Sequence, residues 1–211
     1  MPRRPASEQG DTLREIREAA FNLFGRYGYD GVSVGDIAHA AKLSKGALYW
    51  HFTGKSELFL DCLRQMHQIF ESVIFTPMLE QPDPVARVLA MFQGLSRLLQ
   101  DPRLLEGVGG YWLGANSADV PSIQLVQTEF ETRTASIISE ALRLGVEQGK
   151  FDLEDDLEDM SRAIIAIVEA IVLPLRNQSP EEVHRILAVL ARTLFRAYAT
   201  SDEVMALARR F

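Results

Sequence analysis

Cysteine is almost absent: Cys62 stands alone among 211 residues, so no disulfide can form within the chain. A lone thiol near Leu58 and Met66 is expected to be buried and structural, and the reducing cytoplasm is the expected location. Long apolar runs are also missing. The longest, Ala163 to Leu175, falls short of the roughly 20 residues that span a bilayer, and it holds Glu169 and Pro174. The opening Met1-Pro2-Arg3-Arg4-Pro5 leads into polar residues, so neither a secretory signal nor a membrane partner is expected. Catalytic signatures are wanting too. His39, His51, His67 and His184 lack the spacing of metal ligands. No nucleophile elbow, phosphate loop or dinucleotide fingerprint occurs. These gaps predict no enzyme, no metal and no cofactor.

Positive charge is scarce as well, with 22 basic against 29 acidic residues. The shortage is uneven. The first 62 residues hold eight of each sign, so the whole excess of negative charge lies in residues 63–211. A neutral head on an acidic body would approach a polyanion head first. The run Asp152, Glu154, Asp155, Asp156, Glu158 and Asp159 can be read as a cation site or as acids at a helix start. Complementing the helix dipole is the simpler reading.

What the sequence does have is helical periodicity over a chain that is 47% hydrophobic. Leu13, Ile16, Ala20, Leu23, Phe24 and Tyr27 share the inner face of a first helix, which Gly28 ends. Ser33 opens a second, with Asp36 in the capping-box place. After the break Ala41-Lys42-Leu43, Ser44 caps a third helix, which Gly54 stops. A fourth runs from about Lys55 to Phe75, ended by Pro77. A fifth spans about Pro84 to Leu99, and a short sixth lies around Leu104 to Trp112. A seventh spans about Ile123 to Gln148, closed by Gly149. The eighth and ninth cover about Leu153 to Asn177 and Pro180 to Ala199. The fold class is all-α, with about nine helices and no strand.

Residues 43 to 55 carry the chemistry. In a helix, successive residues lie about 100° apart, so Leu48 and Phe52 fall on one side and Gly46, Ala47 and Trp50 on the other. Small residues let a backbone come close to a surface, and Ala47 and Trp50 offer apolar contact of the kind that reads a thymine methyl. Tyr49 and His51 on the flanks can donate to phosphate oxygens, and the N-cap at Ser44 exposes N–H groups that attract phosphate. Three aromatics in four residues also suit a core helix. What a packing unit would not need is the set Lys45, Tyr49, His51 and Lys55 around a face of small residues and Trp50. Two short helices joined by a tight turn, after a longer support helix, make a helix-turn-helix.

Residues 12 to 60 resemble the DNA-binding domain of the TetR family of transcriptional regulators. The matching stretches are Ala19 to Phe24, Tyr27 to Val34, Asp36 to Ala41, Ser44 to Phe52 and Lys55 to Phe59. The resemblance implies a homodimer that binds double-stranded palindromic operator DNA as a repressor and lets go when a small-molecule effector binds its C-terminal domain. It implies groove contacts from Lys45, Gly46, Ala47 and Trp50, and phosphate contacts from Ser33, Ser44, Tyr49, His51 and Lys55. The expected division is a flexible arm at 1–10, the helix-turn-helix domain at 11–54, and a helical ligand-binding and dimerisation domain at 55–211.

Two features of the body extend this. The eighth helix is apolar almost all round, and the ninth presents a broad apolar stripe, a pair suited to a two-fold four-helix interface. Ile167, Ile171, Val183, Leu187, Leu190 and Leu194 are its expected members; the alternative is a monomer core. Glycines at 107, 109, 110 and 114, with Tyr111 and Trp112 among them, suggest a segment that gates an apolar pocket. Phe92, Trp112, Phe130 and Ile167 are expected to line it, with Met66 and Phe70 of the fourth helix where a ligand would push. Glu129, Arg133 and Glu169 are candidate polar anchors. A DNA-binding activator or pleiotropic regulator without an inducer is the alternative function. A helical enzyme or partner-binding protein whose head no longer binds DNA is a third reading.

Overall fold

The computed structural model describes residues 6–105, 107–111, 121–175 and 178–209. The elements are α1 (Ala6–Tyr27), α2 (Val34–Ala40), α3 (Lys45–Tyr49) and α4 (Lys55–Phe70). A π-helical turn (Glu71–Phe75) then leads into α5 (Thr76–Leu79). Next come α6 (Pro84–Leu98), α7 (Pro102–Leu105), α8 (Pro121–Glu147), α9 (Leu157–Leu175), α10 (Pro180–Tyr198) and α11 (Asp202–Arg209). Among the described residues no strand forms; Phe151 and Ala199 make one isolated bridge.

Most boundaries fall where capping chemistry puts them. Ser33 and Asp36 form the expected capping box on α2, and Ser179 with Glu182 forms another on α10. Gly149, at φ +64, ends α8 as expected. Four details differ. Pro77 does not stop the fourth helix, because it sits in the first turn of α5, where a missing N–H costs nothing. The eighth helix begins later than expected, since Asp156 accepts the N–H groups of Glu158 and Asp159 and so caps it. An unexpected last helix, α11, follows α10, with Val204, Met205 and Ala208 buried. The expected helix around Leu104 to Trp112 divides into α7 and helical backbone at 109–111; Trp112 lies outside the described residues.

The chain forms two compact units, one of residues up to 67 with 106–128, the other of 68–105 with the rest. The core of the first is built on Ile16, Phe24, Ile37, Leu48, Leu58 and Phe59. The Phe59 ring stacks edge-on against Phe24 at 4.9 Å and Tyr29 at 5.2 Å. Tyr27, expected on the inner face of α1, is 60% exposed instead, because it is the last residue before Gly28 turns the chain away. In the second unit α6 is central, packing against the π-helical turn, α5, α10 and α11. Gly94 makes the first contact possible: a Cβ there would stand 2.8 Å from the Ile74 Cα.

Candidate nucleic-acid interface

The helix-turn-helix is set by two serine caps and one tight turn. The Ser33 hydroxyl accepts the Asp36 N–H at 3.2 Å, while the Ser33 N–H donates to the Asp36 carboxylate at 2.8 Å. These bonds, Ser33 first, hold the Asp36 carboxyl below the usual carboxylate range. After α2 the Leu43 N–H reaches back to the Ala38 carbonyl and the Lys42 N–H to that of His39, with Lys42 at φ +57. Ser44 then caps α3 by accepting the Ala47 N–H at 3.2 Å.

Helix α3 is anchored by Leu48, fully buried, and by Phe52 just beyond it. Its other side is open. Trp50 is 80% exposed and Tyr49 53%, and Lys45 and Gly46 are exposed as well. Ala47 and His51 are half-buried at the edge of that face. Ser33 and Ser44 are exposed, and Lys55, at the start of α4, holds its ammonium 4.2 Å from the centre of the Tyr29 ring. Glu57 accepts both the N–H and the hydroxyl of Thr53, each at 2.6 Å, which joins the end of α3 to α4 and lowers its own pKa. Arg17 clamps Asp61 with two bonds of 2.8 and 2.9 Å, tying α1 to α4. The surface that the sequence marked therefore stands on a braced scaffold of three helices.

The glycine-rich segment behaves differently from its expected role. Tyr111 gates no pocket, because it is fully buried in the first unit with its hydroxyl donating to the Phe21 carbonyl at 2.8 Å. Its ring lies 5.2 Å from Phe21 and 5.6 Å from Phe59. Glycines permit this insertion. A Cβ on Gly25 would stand 2.1 Å from the Gly107 carbonyl oxygen, and one on Gly110 equally near that of Phe24. Periodicity carries no sign that this stretch completes the head. Cys62 is buried there too, its thiol pushed up by desolvation.

The expected pocket residues differ in burial. Phe70 and Phe130 do meet, with ring centres 6.1 Å apart, and Phe75 lies equally close to Phe130. Met66 and Phe92 are buried, Ile167 is 40% exposed, and Trp112 lies outside the described residues. Of the expected anchors, Arg133 pairs with Glu71 at 2.8 Å. An apolar crevice opens elsewhere in the second unit, lined by Leu142, Phe151, Met160, Ile164, Leu194 and their neighbours. Two expected interface residues need correction: Val183 and Leu187 are each 1% exposed, because the stripe of α10 packs them into the protomer's own core. Ile171, Leu190 and Leu194 are half-buried. The open apolar positions are Ile167 on α9 with Ile186 and Val189 on α10, and only Ile167 was expected. Ile186 is part of the apolar stripe and Val189 is not, and one continuous stripe does not reveal which edge faces inward.

Residues 16–62 match the family described as bacterial regulatory proteins, tetR family. This stretch is a DNA-binding region of the TetR-family type. Among curated TetR-like relatives, the regulator AcrR of Shigella flexneri is 42% identical over 59 residues, 28% of this chain and 27% of that protein. A probable acrEF/envCD operon repressor of Escherichia coli K12 is 34% identical over 73 residues, 35% of this chain and 33% of that protein. The chain thus matches about a third or less of the length of these relatives. A solved SmeT–triclosan complex superposes with a TM-score of 0.71 at 22% identity, covering 92% of this chain and 94% of that one. This likeness shows a shared fold and nothing further. Among the described residues no helix is long and apolar enough to cross a membrane.

Proposed function

We propose that the chain is a sequence-specific transcriptional regulator, a homodimeric repressor of a palindromic operator that a small apolar ligand releases. The observation that carries the reading is α3. Capped by Ser44 and preceded by the Ser33-capped α2, it presents Gly46, Ala47, Tyr49 and Trp50 outward over buried Leu48 and Phe52. A helix so exposed, with small residues along its outer face, can lie in a major groove about 12 Å wide. Trp50 and Ala47 face base edges there, while Ser33, Ser44, Tyr49, His51 and Lys55 serve the phosphates. Repression follows the Escherichia coli relative, a probable operon repressor. The apolar effector follows the triclosan bound by SmeT; the narrow apolar crevice in the second unit would have to widen to admit such a molecule. Dimerisation is supported by exposed apolar side chains on both helices, Ile167 on α9 and Ile186 and Val189 on α10, which a two-fold mate would cover. The cytoplasm suits such a protein.

The test is fluorescence anisotropy of the full chain on the duplex lying upstream of its own reading frame and on a scrambled duplex. The reading expects binding to the first that is at least ~10³-fold tighter, as specific sites exceed non-specific ones. Equal binding to both removes operator recognition.

A further inference from the structure

Gly46 on α3 and Gly35 on α2 both lie next to Lys45 or its cap, and the space above them is used differently. A Cβ on Gly46 would meet only the Ser44 hydroxyl, at 3.8 Å, so that position is open to a ligand. A Cβ on Gly35 would stand 2.9 Å from Cε and 3.2 Å from Nζ of Lys45. The side chain of Lys45 therefore lies across the first turn of α2 rather than pointing away from α3. Its charge also acts on the Asp36 carboxylate, after the bonds from Ser33.

Gly35 is a disfavoured residue for α2, a helix of seven residues, because glycine loses more backbone freedom than alanine on entering a helix. Its φ is not positive, so no turn requires it. The atoms that an alanine would displace are the far end of a flexible lysine, which can swing aside cheaply. Alanine would thus fit and would favour the helix. What glycine alone provides is a seat for the Lys45 side chain.

We propose that Gly35 is a positioning residue for Lys45, holding its ammonium along α2 so that it contacts the DNA backbone and not a base edge. This inference rests on the DNA-binding reading above and reassigns one of the groove contacts that the family resemblance implies. A cation over α2 supplies non-specific affinity and counterion release; discrimination between bases is left to Trp50 and Ala47. In Gly35→Ala the side chain must leave its seat, so the charge moves off the backbone track.

The experiment is a double-mutant cycle with the full chain: wild type, Gly35→Ala, Lys45→Ala and both together. Binding is read on a selected operator and a generic duplex across a salt series. Lys45→Ala should weaken both duplexes by the same factor, roughly three- to tenfold, and lower the salt slope by about 1 per subunit. Gly35→Ala should raise the melting temperature by about 2–4 °C through helix propensity, yet weaken binding several-fold. With Ala at 45, Gly35→Ala should no longer change binding. A Lys45→Ala protein that selects a different motif would overturn the proposal, as would a Gly35→Ala effect that is the same with and without Lys45. If the wild type binds neither duplex, the DNA-binding reading fails and takes this inference with it. If the wild type binds and the cycle shows no coupling, only the inference fails.

Discussion

Lys42 and Gly149 occupy the same position in the same helix-ending motif, and only one of them is glycine. After α2, Leu43 donates to Ala38 and Lys42 to His39; after α8, Lys150 donates to Gly145 and Gly149 to Val146. The two φ values are +57 and +64, and Lys42 is the sole non-glycine residue with positive φ among those described. A side chain in that region costs about 1–2 kcal/mol.

Lys42→Gly should therefore stabilise the fold by about 0.5–1 kcal/mol, the conformational gain less the extra freedom of glycine in the unfolded chain. A urea midpoint that stays put or falls would show that Lys42 bears no strain.

His67 makes stability depend on pH. It lies 3.2 Å from the Gln127 side-chain oxygen, and burial pushes its pKa down to about 4 against an ordinary 6.5, with Gln127 opposing. The unfolded chain then binds more protons between those values, so stability is full above about pH 6.5 and is lost as pH falls toward 4. The loss should approach about 3 kcal/mol at 1.36 per pH unit. His67→Gln should flatten this arm. Carboxylates such as Asp36 and Glu57 add their own loss at lower pH in both proteins, so the difference between wild type and variant is the quantity to follow. Equal urea-midpoint profiles from pH 7 to 4.5 would refute the assignment.

Gly110→Ala tests the insertion of Tyr111. The new methyl would meet the Phe24 carbonyl at 2.1 Å and the Gly28 nitrogen at 2.7 Å, and backbone cannot move aside. Expulsion of the segment would also strip the Tyr111 ring from Phe21 and Phe59, for a loss of at least about 3 kcal/mol. Gly10→Ala, where nothing stands within 4 Å, should leave stability unchanged or raise it. Similar melting temperatures for both variants would mean that the segment does not brace the head.

Assembly separates two kinds of apolar residue on α10. Val189→Glu should leave the protomer folded and shift sedimentation from dimer to monomer, since Val189 is 53% exposed. Leu187→Glu should unfold the chain by several kcal/mol, because that residue is 1% exposed. A dimeric Val189→Glu protein would move the interface elsewhere.

Much of the head was legible because its signals are local. Caps at Ser33 and Ser44, the 100° spacing of Leu48, Gly46 and Trp50, and the stop at Gly28 each lie within a few residues of what they decide. Tyr111 was not legible, since its partners Phe21 and Phe59 are 90 and 52 positions away and spacing cannot pair them. Lys42 escaped for another reason: a lysine gives no hint of positive φ, whereas Gly149 announces it. On α10, periodicity found the stripe but could not tell its buried edge at Val183 and Leu187 from the open edge at Ile186 and Val189. Pocket residues are the hardest to read from spacing, because lining a cavity depends on how several helices pack rather than on any one pattern.

The central claim, that the outer face of α3 reads operator DNA, is met most directly by selecting binding sites from random duplexes with the wild type and Trp50→Ala. The account predicts a two-fold symmetric motif for the wild type, and for Trp50→Ala relaxed preference at one base pair of each half-site, worth about 1–3 kcal/mol. No enriched motif, or the same motif at full strength from Trp50→Ala, would contradict it.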